Sequence, residues 1–302
     1  MSAEPLASER LADAHHRADV LVEALPYIRR FAGQTVVVKY GGNAMTEPDL
    51  ARTFAEDVVL LQSVGIRVVV VHGGGPQIGD LMERLGMTPE FHDGRRITDA
   101  DTLDVARMVL VGKVNRDIVS AINMHGPVAV GLSGEDANLI EADILDPKLG
   151  FVGEVTQVNR AILDRLLAES LVPVVSTIGT DESGQALNIN ADTVAGAIAA
   201  ELRAEKMIYL SDVPGLLRSV EDPSSLIAQV SVPEVLDLIG EKVVAGGMIP
   251  KIEACLAALD GGVRAVHLLD GRIPHVLLLE LFTEAGIGTM IVPTDDDLEE
   301  PS

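Results

Sequence analysis

Two glycine-rich stretches hold the residue types of an anion site. VVVVHGGGPQI (68–78) runs four valines into a histidine, three glycines and a proline. VVVKYGGNAM (36–45) ends a similar apolar run on Lys39, Gly41 and Gly42. A strand that feeds a glycine turn and then a helix offers bare backbone N–H groups and the positive helix end to a negative ligand. A third stretch, GGMIPK (246–251), sets Lys251 after two glycines at the start of the helical run IEACLAAL. Two glycine turns and two lysines suit a phosphate cage. The same glycines can also serve only as tight turns, and Lys39 alone reads as a strand-end residue reaching water along its stem.

The familiar glycine motifs do not fit. A P-loop needs Gly-Lys followed by Ser or Thr, but Gly112–Lys113 is followed by Val114. HGGGPQIG spaces its glycines at 73, 75 and 79, one residue too far for a dinucleotide fingerprint, with a proline at the helix start. The HGGG segment of an esterase needs a GxSxG elbow, and GLSGE (131–135) fails at its last position. No histidine or cysteine cluster has ligand spacing, so no protein-bound metal is expected, and Cys255 in its apolar run reads as core.

A net charge of −23 opposes binding to nucleic acid, which needs a basic surface. No apolar run is long enough to span a membrane. The first twenty residues lack the pattern of a signal or transit peptide, and a lone cysteine suits a reducing compartment. The expected location is the cytoplasm.

The elements that must position these residues show in the hydrophobic pattern. β-Branched runs at 35–39, 67–72, 127–132, 172–178, 206–212, 265–270 and 289–293 are continuously apolar, as in strands buried on both faces. Helical stretches such as 50–65 and 191–202 lie between them. Strand, turn and helix in repetition predict an α/β three-layer sandwich on a mainly parallel open sheet, with ligands at the carboxyl ends of the strands. Residues 142–159 read as a hairpin turning at Asp146–Pro147, either a lid or a plain surface hairpin. Near the N-terminus, Leu11, Ala14, Ala18, Leu21, Leu25 and Ile28 form one apolar stripe on a helix that Pro26 should kink or interrupt. The stripe can pack on its own domain or reach another subunit. The charge run DDDLEEPS (295–302) reads as disordered.

Taken in order, VVVKYGGNAM, VVVVHGGGPQI, GRRITD, NINADTVA, YLSDVPGLL and GGMIPK resemble the amino acid kinase family across residues 20 to 293. Within it they are similar to the members that phosphorylate the γ-carboxylate of N-acetyl-L-glutamate with ATP and Mg²⁺ in arginine biosynthesis. HVLLLELFTEAGIGTMI (275–291) and EALPYIRRF (23–31) resemble the arginine-inhibited, hexameric type, whose extra N-terminal helix links dimers. The resemblance implies that Lys39 and Lys251 hold the phosphates and the transferring group, with Asp192 orienting both lysines. Gly41, Gly42, Gly74 and Gly75 would offer N–H groups. Arg96, placed just before Ile-Thr, would clamp the substrate's α-carboxylate, with Asn188 nearby. Ser211, Asp212 and Leu216 would receive the nucleotide, and Lys206, His267, Glu280 and Gly286 would line a site for L-arginine.

The same resemblance implies an oligomer-forming helix over 1–30, an acetylglutamate lobe over 31–188 and a nucleotide lobe with the arginine site over 189–302. A homo-oligomer, a hexamer built as a trimer of dimers, is expected. A carboxylate acceptor is already ionised at neutral pH, so the chemistry needs no general base. Other acceptors (carbamate, aspartate, a nucleoside monophosphate) and a non-catalytic arginine sensor remain open at this point.

Overall fold

The computed structural model describes residues 4–299 apart from 46, 93, 220, 245–247, 284–285 and 295. With all strands numbered in chain order, the main sheet contains β1 (Thr35–Tyr40), β2 (Arg67–His72), β5 (Ala129–Ser133), β8 (Val172–Ser176), β11 (Lys206–Ser211), β12 (Gln229–Ser231), β13 (Ala265–Asp270) and β14 (Thr289–Val292). Their order is β12-β14-β13-β11-β1-β2-β8-β5, parallel throughout except where β14 runs against β13.

The valine runs explain the layers. Along a strand, neighbouring side chains face opposite ways. Val36, Val38, Val68 and Val70 therefore enter one core, and Val37, Val69 and Val71 enter the other, all at most 1% exposed. Helices cover both faces. The helices are α1 (Glu4–Phe31), α2 (Pro48–Ser63), α3 (Gly75–Arg84), α4 (Ala100–Arg107), α5 (Asn115–Asn123), α6 (Ala161–Ala168), α7 (Ala191–Leu202), α8 (Val232–Gly240), α9 (Ile249–Asp260) and α10 (Val276–Leu281). Phe54 of α2, Ile118 of α5 and Leu277 of α10 join the first core. Leu163 of α6, Val194 of α7, Val235 of α8 and Cys255 of α9 join the second. The fold is the expected three-layer sandwich.

From β1 the chain steps to β2 on one side and later returns to lay β11 on the other, so the strand order reverses beside β1. Crevices at such reversals are where open α/β sheets bind ligands.

Five strands went unread in the sequence because they are short and partly polar, the edge strand β12 among them. The ribbon β3 (Phe91–His92) and β4 (Arg95–Arg96) holds Arg96. The hairpin is β6 (Ile140–Ile144) with β7 (Val152–Val158), its turn capped by the Asp146 side chain. β9 (Ile178–Thr180) and β10 (Ala186–Ile189) close it into a four-stranded barrel. The hairpin is thus fixed in place as a wall, because two further strands satisfy its edges.

α1 is continuous through Pro26. Phe31 anchors its end in the core at 1% exposure, while Leu11, Leu21 and Leu25 of the apolar stripe are 57%, 71% and 45% exposed. Apart from half-buried Ile28, the stripe is exposed rather than packed on its own chain. At the other terminus, Asp296–Glu299 form a 3₁₀ turn, and the rest of the acidic tail lies outside the described residues.

Candidate active site

Lys39 has the parity of Val37 and so faces the layer of α7 and α9. The first turn of α7 places Asp192 beneath it, and the first turn of α9 adds Lys251. Lys39 Nζ lies 3.1 Å from Asp192 Oδ1, and Lys251 Nζ lies 3.2 Å from Oδ2. The Lys251 contact is a directed hydrogen bond, whereas the Lys39 contact is ionic and leaves Oδ1 without an aligned donor. Burial pushes the Asp192 carboxyl up, but the two ammonium groups outweigh it and hold the group below the ordinary carboxylate range. Two cations on one anion leave a surplus positive charge at the strand ends. α7 starts here because the Asn190 side chain accepts from the N–H groups of Asp192 and Thr193.

The glycines divide by role. A Cβ on Gly41 would come within 2.9 Å of Lys39 Nζ, so its absence lets the ammonium lie across the turn. Gly42 sits at φ +70°, and a Cβ there would come within 2.8 Å of Asp212 Oδ1 at the end of β11. Gly74 is demanded by the protein's own packing, since a Cβ would meet Leu110 Cδ2 at 2.7 Å. Gly75 has open space before it. Gly246 and Gly247 lie outside the described residues.

A cavity of about 260 Å³ opens beside this cluster, bordered by Gly73–Gly75, Arg96, Asn188 and Asn190. The N-terminal ends of α3 and α7 both reach it, which favours an anionic occupant. Arg96 is half-buried, lies over the Phe91 ring at 4.8 Å and donates to the Gly75 carbonyl at 3.0 Å. A second N–H points to Met82 Sδ at 3.2 Å, and those left over are available to a carboxylate. Arg95 is exposed. Buried Thr98, unread in the sequence, donates to the Arg96 carbonyl and lies 3.4 Å from Asn188 Nδ2, tying the two cavity residues together.

Of the residues expected to meet the nucleotide, Ser211 and Asp212 end β11 beside the Gly42 turn. Leu216 does not join them. It is 2% exposed, belongs to the core and gives its N–H to Thr289 Oγ1, so it packs the turn from within.

Lys206, His267, Glu280 and Gly286 come together at the other end of β11. Lys206 Nζ is 2.9 Å from His267 Nε2, and His267 Nδ1 is 2.6 Å from Glu280 Oε1. The ammonium can only donate, so Nε2 accepts and Nδ1 carries the proton given to Glu280. Burial lowers His267 to about 4 and Lys206 to about 8. Burial raises Glu280, but the His267 hydrogen bond, Ile287 N–H and Lys206 together hold it below its ordinary value. Gly286, at φ +57°, leaves room for that carboxylate.

Among the described residues no group of three acids, histidines or cysteines is arranged to hold a metal ion. Cys255 is fully buried and its thiol is pushed up by burial.

Residues 34–270 match the model of the amino acid kinase family. The chain is 54% identical over 282 residues to an acetylglutamate kinase of a Synechococcus species, covering 93% of this chain and 94% of that one. It is 55% identical over 277 residues to an acetylglutamate kinase of a Nostoc species, covering 91% and 93%. Among solved structures, it resembles the N-acetylglutamate synthase of Neisseria gonorrhoeae complexed with coenzyme A and N-acetyl-glutamate, with TM-score 0.81, 29% identity and coverage of 92% of this chain and 63% of the synthase. Carbamate kinase of Giardia lamblia bound to AMP-PNP shares the fold, with TM-score 0.63, 18% identity and coverage of 87% and 100%.

Proposed function

The chain belongs to the amino acid kinase family, and from that premise we propose that it transfers the γ-phosphoryl group of ATP to the γ-carboxylate of N-acetyl-L-glutamate. The products are N-acetylglutamyl 5-phosphate and ADP. The observation that supports this most is the pair of lysines on one carboxylate, set beside a cavity that holds an arginine and two helix N-termini.

The acceptor oxygen attacks phosphorus as its own lone pair forms the new bond, and the bond to the ADP oxygen breaks. No proton is removed, which suits a site without a general base. Charge spreads over the phosphoryl oxygens in the transition state, and positioned cations and N–H groups are what such a step needs. In this reading Lys39 and Lys251 neutralise that charge, while ionised Asp192 keeps both ammonium groups aimed. Gly41, Gly42, Gly74 and Gly75 give N–H groups, and Arg96 grips the α-carboxylate with Asn188 beside it. Ser211 and Asp212 border the nucleotide. Mg²⁺ carried in on ATP would supply further neutralisation. Arg96 favours an acetylated amino acid over carbamate, which has no second carboxylate to grip.

Feedback by arginine is the second element of the proposal. Lys206, His267, Glu280 and Gly286 would line the inhibitor site; a structure of the similar Neisseria synthase is a complex with coenzyme A and L-arginine. The exposed stripe on α1 supports a homo-oligomer in which this helix joins dimers into a hexamer. Residues 31–188 would form the acetylglutamate lobe and 189–302 the nucleotide lobe, although one sheet runs through both. No helix among the described residues is long and apolar enough to cross a membrane, and we place the enzyme in the cytoplasm.

The test is ADP release from ATP and Mg²⁺ with N-acetylglutamate, repeated with arginine. Turnover suppressed by arginine is expected. Turnover indifferent to arginine would remove the regulatory part, and nucleotide binding without turnover on this acceptor would overturn the reaction itself.

A further inference from the structure

We propose that His72 and Asn115 are positioning residues that aim the glycine turn Gly73–Gly75 at the transferring group, and that a π-helical segment exists to deliver Asn115 to that task. The inference rests on the kinase reading above. His72 ends β2 and is 0% exposed, as is Asn115. His72 Nδ1 lies 2.9 Å from the carbonyl oxygen of Gly73, and Nε2 lies 3.1 Å from Asn115 Nδ2. Asn115 Nδ2 also donates to the Val174 carbonyl at 2.8 Å, and Arg116 donates to Asn115 Oδ1. These partners fix the amide with its nitrogen toward the histidine. Nε2 must then accept, and the single imidazole proton sits on Nδ1 and is given to Gly73.

Pinning that carbonyl has a geometric result. The described chain holds no cis peptide bond. Across a trans peptide the C=O and N–H point in opposite directions. With the Gly73 carbonyl drawn back to His72, the Gly74 N–H is turned the opposite way, and we take that direction to be toward the cavity that Gly73–Gly75 border. A glycine turn is free to rotate such a peptide, and the histidine takes that freedom away.

The support for Asn115 is unusual. Met108–Val114, between α4 and α5, is a π-helix, and the Asn115 N–H bonds to the Leu110 carbonyl five residues back. An extra residue in one turn rotates everything after it by about 100° relative to an α-helix. Leu110 and Val114 of this segment are the side chains that a Cβ on Gly74 would strike, at 2.7 and 3.3 Å. The segment therefore contacts the turn twice, by packing on bare Gly74 and by holding His72. Burial keeps the imidazole neutral, lowering it to about 4, so the clamp persists through the working pH range.

The experiment compares His72→Leu, which fills the space without a donor, with His72→Asn, whose amide nitrogen falls where Nδ1 was and can still donate to Gly73. Amide hydrogen exchange at Gly74 and Gly75 is read in the ligand-free protein, together with kcat and both KM values. His72→Leu should speed exchange at the turn and lower kcat by about 10- to 100-fold, the usual penalty for misaiming a catalytic group. His72→Asn should recover most of both. Should His72→Leu fail to fold, Asn115→Ser carries the same comparison, since it removes the donor to Nε2. Folded variants with unchanged exchange and kcat would overturn the proposal. So would a loss that asparagine does not recover and that only follows a fall in Tm. Exchange does not depend on the acceptor, so a wild-type protein inactive on N-acetylglutamate would sink the kinase reading separately from the clamp.

Discussion

Two clusters in this molecule, one half-buried and one buried, each pair lysine with acid, yet they are built to opposite ends. At the carboxyl ends of the strands, Lys39 and Lys251 share one carboxylate, Asp192, and the sum is positive beside a cavity. At the amino end of β11, Lys206 reaches Glu280 through neutral His267, and within that relay one ammonium balances one carboxylate. The register pairs Lys206 with Val36 and Tyr209 with Lys39, so the clusters sit about 10 Å apart along the sheet. Tyr209, on the strand that starts with Lys206, donates to the Asp192 carbonyl at 3.1 Å, so one strand touches both. A cluster with surplus charge is ready for an anion, whereas a balanced one through an imidazole is sensitive to whatever displaces one of its members. On the proposed reading, that difference separates a site for phosphate chemistry from a site for regulation.

The sharpest way to break this comparison is to remove the surplus charge. Lys39→Ala and Lys251→Ala should each lower kcat by roughly 10²- to 10³-fold while leaving the circular dichroism spectrum unchanged, as for loss of one transition-state donor. Near-normal turnover in either variant would remove that lysine from the proposed machinery. The balanced cluster should respond differently. Glu280→Gln, which takes away the anion that His267 and Ile287 both address, should raise the arginine concentration for half inhibition about tenfold or more, referred to the uninhibited rate of the same variant. Unaltered inhibition would place the arginine site elsewhere.

Arg96→Lys probes the cavity that the surplus charge overlooks. A point charge cannot grip a carboxylate in the two-pronged manner of a guanidinium, so the KM for N-acetylglutamate should rise about tenfold with that for ATP little changed. An equal rise in both would argue for a general electrostatic role. The smallest effect concerns stability. Burial lowers Lys206 in the folded protein to about 8, below its ordinary 10.5. Between those values the unfolded chain holds a proton that the folded chain has released, so this group makes the fold more stable as pH rises. Lys206→Met should therefore gain less in Tm than the wild type from pH 8 to 10, by a few degrees. Parallel Tm curves would show that the ammonium is not strained by burial.

Much of the fold was legible because both faces of the sheet are covered, which makes the long strands continuous runs of valine and isoleucine. The two-residue ribbon of Arg96, the barrel strands around Asn188 and the edge strand Gln229–Ser231 were not. They are too short for a period, and tertiary contacts hold them. At the site, the glycines and lysines announced themselves by type and order. Leu216 misled, because a residue beside a glycine turn can face the core as easily as a ligand. His72 stood in plain view before the glycines without a partner to give it meaning, and Asn115 carried no signal at all. The π-turn that brings them together is a matter of helix geometry, which hydrophobic periodicity does not encode.

Sequence by itself thus determined the layer architecture, the glycine turns at the strand ends and the kind of residue at each cluster. These follow from local causes: side-chain alternation, backbone freedom at glycine and charge. Only the tertiary structure decided that Lys39, Asp192 and Lys251 share one contact, that Gly74 is bare for Leu110 while Gly75 is open to the cavity, and that a histidine lies between Lys206 and Glu280. Those relations join residues 59 to 153 positions apart within the first cluster, and only the packing of helices on a particular strand order brings such distant groups within 3 Å or so of one another.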